Sequence, residues 1–348
     1  ITDPGLVRAG VVAPVVDALE QAGLTVTVYS DVEADPPEAR VLAAVAAAQG
    51  AGAEVVVGLG GGSSLDTAKL VALLASTQQP LASIYGIGLA KGPRLPLVQV
   101  PTTAGTGSEV TPIAIVTTPS QEKKGVVSPL LYPDLAILDA ELTLGLPPDV
   151  TAMTGIDAMV HAIEAYTSKL KKNPLADSLA REALRLMYVH LPRVLADGHD
   201  LESRSAMLVG SMMAGMAFAN APVAAVHALA YPLGGHFHVP HGLSNALVLA
   251  PVLEYNLPSA EALYAELAAV INPAQRFASP SAAARWFVDD ISRLVAAMPF
   301  AQTLREVGVT EKDLDLLAAD AMKVERLLVN NPRLMTLEAA RGIYASQL

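Results

Sequence analysis

Short runs of Val, Ile and Leu alternate with helical patterns along the first part of the chain, and the alternation stops near residue 150. The runs are "LTVTVYS" (24–30), "AEVVVGLG" (53–60), "LPLVQVP" (95–101) and "IAIVTT" (113–118), with helical patterns through "EARVLAAVAAAQGAG" and "LDTAKLVALLAS". Strands apolar on both faces and separated by helices belong in a parallel sheet covered on both sides. "LAILDA" supplies a last strand and Pro147 and Pro148 mark a loop. Beyond it only 3.6-period patterns remain, and no strand is expected. The expected organisation is an α/β domain over residues 1–150 and an all-α domain over residues 151–348. Helices are predicted at about 152–168, 175–196, 203–219, 223–235, 243–255, 258–271, 280–298, 310–326 and 336–347.

Composition narrows what such a chain can do. It is 52% hydrophobic and 16% charged, enough apolar material for a large interior and unlike a disordered chain. A net charge of -11, with no Lys or Arg run longer than two, excludes a nucleic-acid surface. An anionic cofactor must then be held by backbone N–H groups, hydroxyls and an isolated Lys. With no Cys there is no disulfide framework and no thiolate metal site, which fits a reducing, cytoplasmic setting and leaves His and carboxylates as the metal ligands. The opening "ITDPGLVRAG" reads as the end of a strand entering a turn, so a strand is expected to be missing ahead of it. Residues 205–253 carry no Asp, Glu, Lys or Arg, a length that could span a bilayer. His227, His236, His238 and His241 and Pro222, Pro232 and Pro240 interrupt them, and small residues dominate "GSMMAGMAFANA", so closely packed internal helices are expected and no membrane span.

Gly60, Gly61 and Gly62 join the strand "AEVVVGLG" to the next helix. Ser63 or Ser64 is expected to cap that helix, with Asp66 in the reciprocal position of a capping box. Backbone without side chains at a helix N-terminus lets a pyrophosphate reach the amides and the positive end of the dipole. A tight turn that needs glycine only for its dihedrals explains the same residues equally well. The following strand ends in "VPTTAGTGSEVTP", where Thr102, Thr103, Thr106 and Ser108 offer hydroxyls at a second strand end, the side on which parallel sheets bind ligands. Lys124 is a candidate positive charge. Asp3, at the end of the first visible strand, is placed either to accept from a ribose diol, which favours NAD over NADP, or to cap a turn before Pro4 and Gly5.

"GIDAMVHAIEAY" (155–166) sets Asp157 and His161 one turn apart on an apolar helix. Both project from one face, and a buried carboxylate there needs a cationic partner. A divalent ion is such a partner. His227 and, fourteen residues later, His241 supply further nitrogen ligands, with His236 or His238 as rivals that spacing leaves open. Oxygen and nitrogen donors without sulfur suit Fe(II) or Zn(II), and such a set leaves positions for substrate or water. His190 and His199 read as surface or capping residues.

"GGGSSLDTAK", "PTTAGTGSEVT", "DAMVHAIEAY", "HALAYPLG" and "HVPHGLSNA", in this order and with these intervals, resemble the iron-containing (group III) alcohol dehydrogenases, and the likeness extends to "NNPRLMTLEAARGIY". The resemblance implies a Rossmann-like dinucleotide domain and a helical domain, as in dehydroquinate synthase-like folds. It implies Fe(II), or Zn(II), held between the domains by Asp157, His161, His227 and His241, and NAD(P) lined by Asp3, Gly61, Gly62, Ser63, Asp66, Thr102, Thr103, Thr106 and Lys124. A small alcohol or aldehyde substrate and a homodimer follow from the same likeness, with hydride transfer as the reaction and His227, His241 and Tyr231 at the catalytic centre. His236 and His238 become supporting residues. This chain has Tyr231 where many members carry a second His, and a reference pKa of about 10 makes Tyr a poorer neutral-pH proton shuttle than imidazole. Glycerol dehydrogenase-like and maleylacetate reductase-like enzymes are the neighbouring readings. A metal-dependent hydrolase or a non-catalytic nucleotide binder is the reading from another class.

Overall fold

The computed structural model describes residues 1–120 and 122–348. They divide into two compact units, Ile1–Leu146 and Pro147–Leu348. The first unit opens with helices α1 (Pro4–Arg8), α2 (Val12–Gln21) and α3 (Glu38–Gly50). Strand β1 (Val56–Gly60), helix α4 (Gly62–Leu74), the short β2 (Gly86–Ile87), β3 (Leu97–Pro101), β4 (Ile113–Thr117), β5 (Lys123–Val127) and β6 (Leu135–Ala136) complete it.

One sheet has the order β1-β3-β6 and is parallel throughout. Its register pairs Gly60 with Pro101, so β1 and β3 end side by side and the glycine turn and the threonine loop leave from adjacent points. Helix α4 packs on β1 and β3 and also on β4 and α3. That explains why it is apolar all round, with Leu65, Leu70, Val71 and Leu73 fully buried. Each such leucine contributes about 1.5–3 kcal/mol by leaving water.

Two strand expectations are corrected. Residues 113–118 do not extend the parallel sheet. As β4 they pair antiparallel with β5 in a separate sheet of order β2-β5-β4, because the intervening segment is short enough to turn back as a hairpin. Residues 24–30 form no regular strand. Their neighbour is the two-residue stub Ile1–Thr2, which bonds to β1 through Ile1 N to Val57 O (2.8 Å) and meets the segment through Thr2 N to Tyr29 O (2.9 Å). Beyond these single bonds no continuous ladder joins the segment to β1 among the described residues.

The second unit is helical, with no strand among the described residues. Its helices are α5 (Pro148–Thr167), α6 (Pro174–Ala196), α7 (Leu201–Asn220), α8 (Ala225–Phe237), α9 (His241–Ile271), α10 (Pro280–Ala296), α11 (Leu314–Met322), α12 (Glu325–Leu328) and α13 (Leu337–Ala345). Asn173, Asp200 and Ser279 start α6, α7 and α10 by accepting amide protons one turn in, at 2.9, 3.0 and 3.1 Å. Helix α5 is central: it packs on α6, α7 and α9, and every residue from Gly155 to Thr167 is buried. The predicted helices 243–255 and 258–271 are one helix, α9, which runs through Pro251 and Pro258. Packing on α5, α8 and α10 along its length outweighs two missing amide donors. The predicted helix 310–326 is instead a 3₁₀ turn followed by α11, which stops at Met322 before the short α12. Among the described residues no single helix is long and apolar enough to cross a membrane. The uncharged stretch is split between α7, α8 and α9, and α7 and α8 meet at a bend of 105°.

Candidate metal centre and nucleotide loops

Helix α5 carries Asp157 and His161 on one face, α8 carries His227 in its first turn, and α9 begins with His241. One donor atom from each of these four lies within 4.8 Å of the others. The Asp157 Oδ1 atom is 4.0, 3.8 and 3.7 Å from Nε2 of His161, His227 and His241. Three of the four are buried and His241 is half-buried. Burial pushes the Asp157 carboxyl up, but the three imidazoles and the Asn245 amide outweigh it and hold the group below the ordinary carboxylate value. The donor set, three imidazole nitrogens and one carboxylate in a chain without Cys, fits Fe(II) or Zn(II).

Three further residues complete the site, and the sequence reading did not single them out. Glu164, also on α5, is buried and takes up its acceptor capacity locally. Oε2 accepts from Ala224 N at 2.9 Å and lies 2.7 Å from His227 Nδ1, while Oε1 accepts from Val226 N at 2.6 Å. Helix α8 has no side-chain cap of its own, so a carboxylate from α5 both anchors its N-terminus and turns the His227 ring. Phe218, from α7, stacks on His161 at 4.4 Å between ring centroids. Asn245 lies one turn after His241 on α9, fully buried, and donates to Asp157 Oδ1 at 2.5 Å. The visible signal for Glu164 was its place in the same apolar stretch, seven residues after Asp157; for Asn245 it was the i, i+4 spacing from His241.

Gly242 makes this convergence possible: a Cβ there would collide with the Met153 carbonyl, so α9 approaches α5 backbone to backbone just where His241 must reach Asp157. The rival ligands lie elsewhere. His236 is paired with Asp320 at 2.6 Å, and His238 ends α8 with φ +54, the left-handed turn that sends the chain toward Pro240 and α9. His190 bonds Ser203 at 2.9 Å. The Tyr231 ring is 6.2 Å from that of His241.

In the first unit the glycine turn meets the threonine loop directly. An ideal Cβ on Gly62 would stand 2.7 Å from Thr106 Cγ2, and one on Gly61 would stand 3.4 Å from Thr103. The expected serine cap is absent: α4 starts at Gly62, Gly61 is its N-cap, and no side chain caps it. A helix that begins at a glycine leaves its first amides open to an external acceptor. Asp66 forms no capping box. Its Oδ1 accepts from Ser108 Oγ (2.6 Å) and lies 3.4 Å from Lys69 Nζ, and its Oδ2 accepts from Ile115 N (2.9 Å). It thus fastens the threonine loop and β4 to α4. Thr102 and Ser108 are buried, and Thr106 Oγ1 accepts from Ser108 N at 3.3 Å. Asp3 caps α1, accepting from Gly5 N at 2.8 Å and Leu6 N at 3.1 Å. Lys124 is half exposed on β5 with Glu122 at 3.3 Å.

Lys69, 3.4 Å from Asp66, and Glu109 are also buried, although neither was an expected site residue. Burial lowers the Lys69 amine below its ordinary value and pushes the Glu109 carboxyl up to about 7, although Lys69 partly offsets the latter.

The chain is similar to known proteins along its whole length. Residues 1–140 match the family described as iron-containing alcohol dehydrogenase, and residues 151–348 match its C-terminal part. The long-chain-alcohol dehydrogenase 1 of Geobacillus thermodenitrificans is 42% identical over 348 residues, which cover 99% of this chain and 87% of that protein. Among solved structures, a 1,3-propanediol oxidoreductase superposes with a TM-score of 0.96 at 34% identity, covering 100% of this chain and 91% of the other. A sulfoacetaldehyde reductase from Bifidobacterium kashiwanohense, in complex with NAD+, gives 0.88 at 31% identity, covering 99% and 89%. The chain belongs to the iron-containing alcohol dehydrogenase family.

Proposed function

We propose that this protein interconverts a small alcohol and its aldehyde with NAD, and that Asp157, His161, His227 and His241 hold the divalent ion, iron or zinc, that the reaction uses. The observation carrying the reading is the gathering of one carboxylate oxygen and three imidazole nitrogens within 4.8 Å, from three helices. Bound there, a divalent ion supplies Lewis acidity toward a hydroxyl or carbonyl oxygen. Asp157 gives the set its one formal negative charge, Glu164 fixes the His227 ring, and Phe218 covers His161. Oxidation of an alcohol by NAD+ releases one proton, and Tyr231, whose hydroxyl-bearing ring neighbours His241, is the residue we assign to carry it away. In the first unit, the amides at Gly61, Gly62 and Ser63 are the donors for a pyrophosphate, supported by Thr102, Thr103 and Thr106. Asp66 acts by fixing that loop, and Asp3 and Lys124 are the residues assigned to the ribose and to a phosphate. The sulfoacetaldehyde reductase among the related structures supports an aldehyde as one partner in the reaction. A cytoplasmic homodimer is part of the proposal and rests on the family resemblance and the absence of Cys.

Metal analysis of anaerobically purified protein, with NADH and NADPH oxidation against short aldehydes before and after chelation, tests the reading. Stoichiometric metal and chelator-sensitive NADH oxidation are expected. Activity that survives removal of the metal would overturn it.

A further inference from the structure

Four donor atoms that share a small space repel one another when no cation lies among them. Asp157 brings a negative charge to the group, within 4.0 Å of all three imidazoles. His227 illustrates how tightly this is set. Glu164 can only accept, so His227 directs an Nδ1 proton at it, and Nε2 is the ring nitrogen left to face Asp157 and Asn245. An N–H donor set among these atoms would draw them together.

Asn245 is placed to do so. Its Nδ2 lies 2.5 Å from Asp157 Oδ1 and 3.3 Å from Nε2 of both His227 and His241, touching three of the four ligands at once. The amide also sacrifices its own acceptor, because Oδ1 is buried without a hydrogen-bond partner. Half a turn of the amide would set that oxygen against the Asp157 carboxylate, so the neighbouring charge dictates the orientation. A buried side chain that leaves one polar atom unsatisfied in order to aim two N–H groups at three acceptors is organised around those acceptors.

We propose that Asn245 is a positioning residue that substitutes for the cation: its N–H groups hold Asp157, His227 and His241 together in the metal-free protein and are displaced from both imidazoles when a divalent ion enters. An imidazole Nε2 has one lone pair, so it cannot serve the amide and an ion together. The Asp157 carboxylate has several, so its bond to Asn245 survives loading. The assignment rests on the reading of these four residues as metal ligands. Its consequence is a competition: Asn245 keeps the set assembled and also weakens the ion's hold on it.

The test compares wild type with Asn245→Ala and Asn245→Ser, measuring Co(II) affinity from its absorption spectrum and melting temperature in EDTA and in excess Zn(II). The Ala variant is expected to melt lower in EDTA, to lose less in Zn(II), and to bind Co(II) about three- to tenfold tighter, the ratio set by one lost neutral hydrogen bond. Ser, which keeps one donor, falls between, and it carries the comparison if Ala does not fold. Equal losses of melting temperature with unchanged Co(II) affinity would reduce Asn245 to packing and overturn the inference. Weaker Co(II) binding would overturn it too, because the amide would then serve the loaded site. Failure of wild type to take up Co(II) at all would remove the ligand assignment beneath it.

Discussion

Asp157 and Glu164 are carboxylates on the same buried helix with different tasks, and their neutral variants separate them. Asp157→Asn keeps the shape and removes the charge, and is expected to leave purified protein without metal. Metal content measured by mass spectrometry checks this. Glu164→Gln touches no ligand position but loses acceptor capacity toward His227, Ala224 and Val226. It is expected to weaken metal affinity by about 10- to 100-fold without abolishing it. Tyr231→Phe should retain full metal and lower kcat by about 100-fold or more, the range of a lost proton-transfer group; an unchanged kcat would remove Tyr231 from the reaction. Glu109 makes a separate prediction about pH. Its folded value near 7 lies above the ordinary 4.5, so the stability tied to its neutral form is complete below 4.5 and is lost as pH rises through 7. Thermal melts of Glu109→Gln between these limits should show a flatter decline than wild type.

At the scale of elements, the site depends on how closely α9 meets α5. Gly242→Ala inserts a methyl against the Met153 carbonyl, where there is backbone and no flexible side chain to yield. Overpacking of this kind costs about 1–3 kcal/mol. It should move His241 away from Asp157, so metal affinity is expected to fall more than helix content does by circular dichroism. The same elements show how much was legible in advance. Asp157 and His161 were readable because a 3.6-residue period fixes which side chains share a face. His227 and His241 were readable only as two of several imidazoles, since nothing in spacing says that His236 turns away to Asp320 or that His238 adopts a left-handed turn. Glu164 and Asn245 stayed hidden because neither touches an ion; their roles arise from contacts 60 and 88 residues away in sequence. The glycine turn was legible as a turn, but the helix start was misplaced: Ser63 follows Gly62 by one residue, and a single-residue slip replaces a side-chain cap by open backbone. The break expected at residues 256–257, just before Pro258, failed for the same reason, since local rules cannot weigh the packing that overrides them.

For the whole molecule, the sharp change in pattern near residue 150 lies close to the point where the chain divides, at Leu146 and Pro147, and the proposed metal and nucleotide residues fall in different units. Hydrogen exchange should therefore respond in two separate places. Metal is expected to protect residues 157–164, 224–231 and 241–245, and NAD to protect 60–66 and 102–108. Protection spread evenly over the chain would contradict that division. One asymmetry among the ligands bears on kinetics as well. The side chains of Asp157, His161 and His227 are 3–6% exposed, whereas that of His241 is 33% exposed. Of the four, His241 is the ligand that solvent reaches most readily. Exchange with a chelator should then be slow and limited by release of a single ring. Replacing His241 would open that gate, so the half-life of metal extraction becomes a property of residue 241 and the three-residue turn before it.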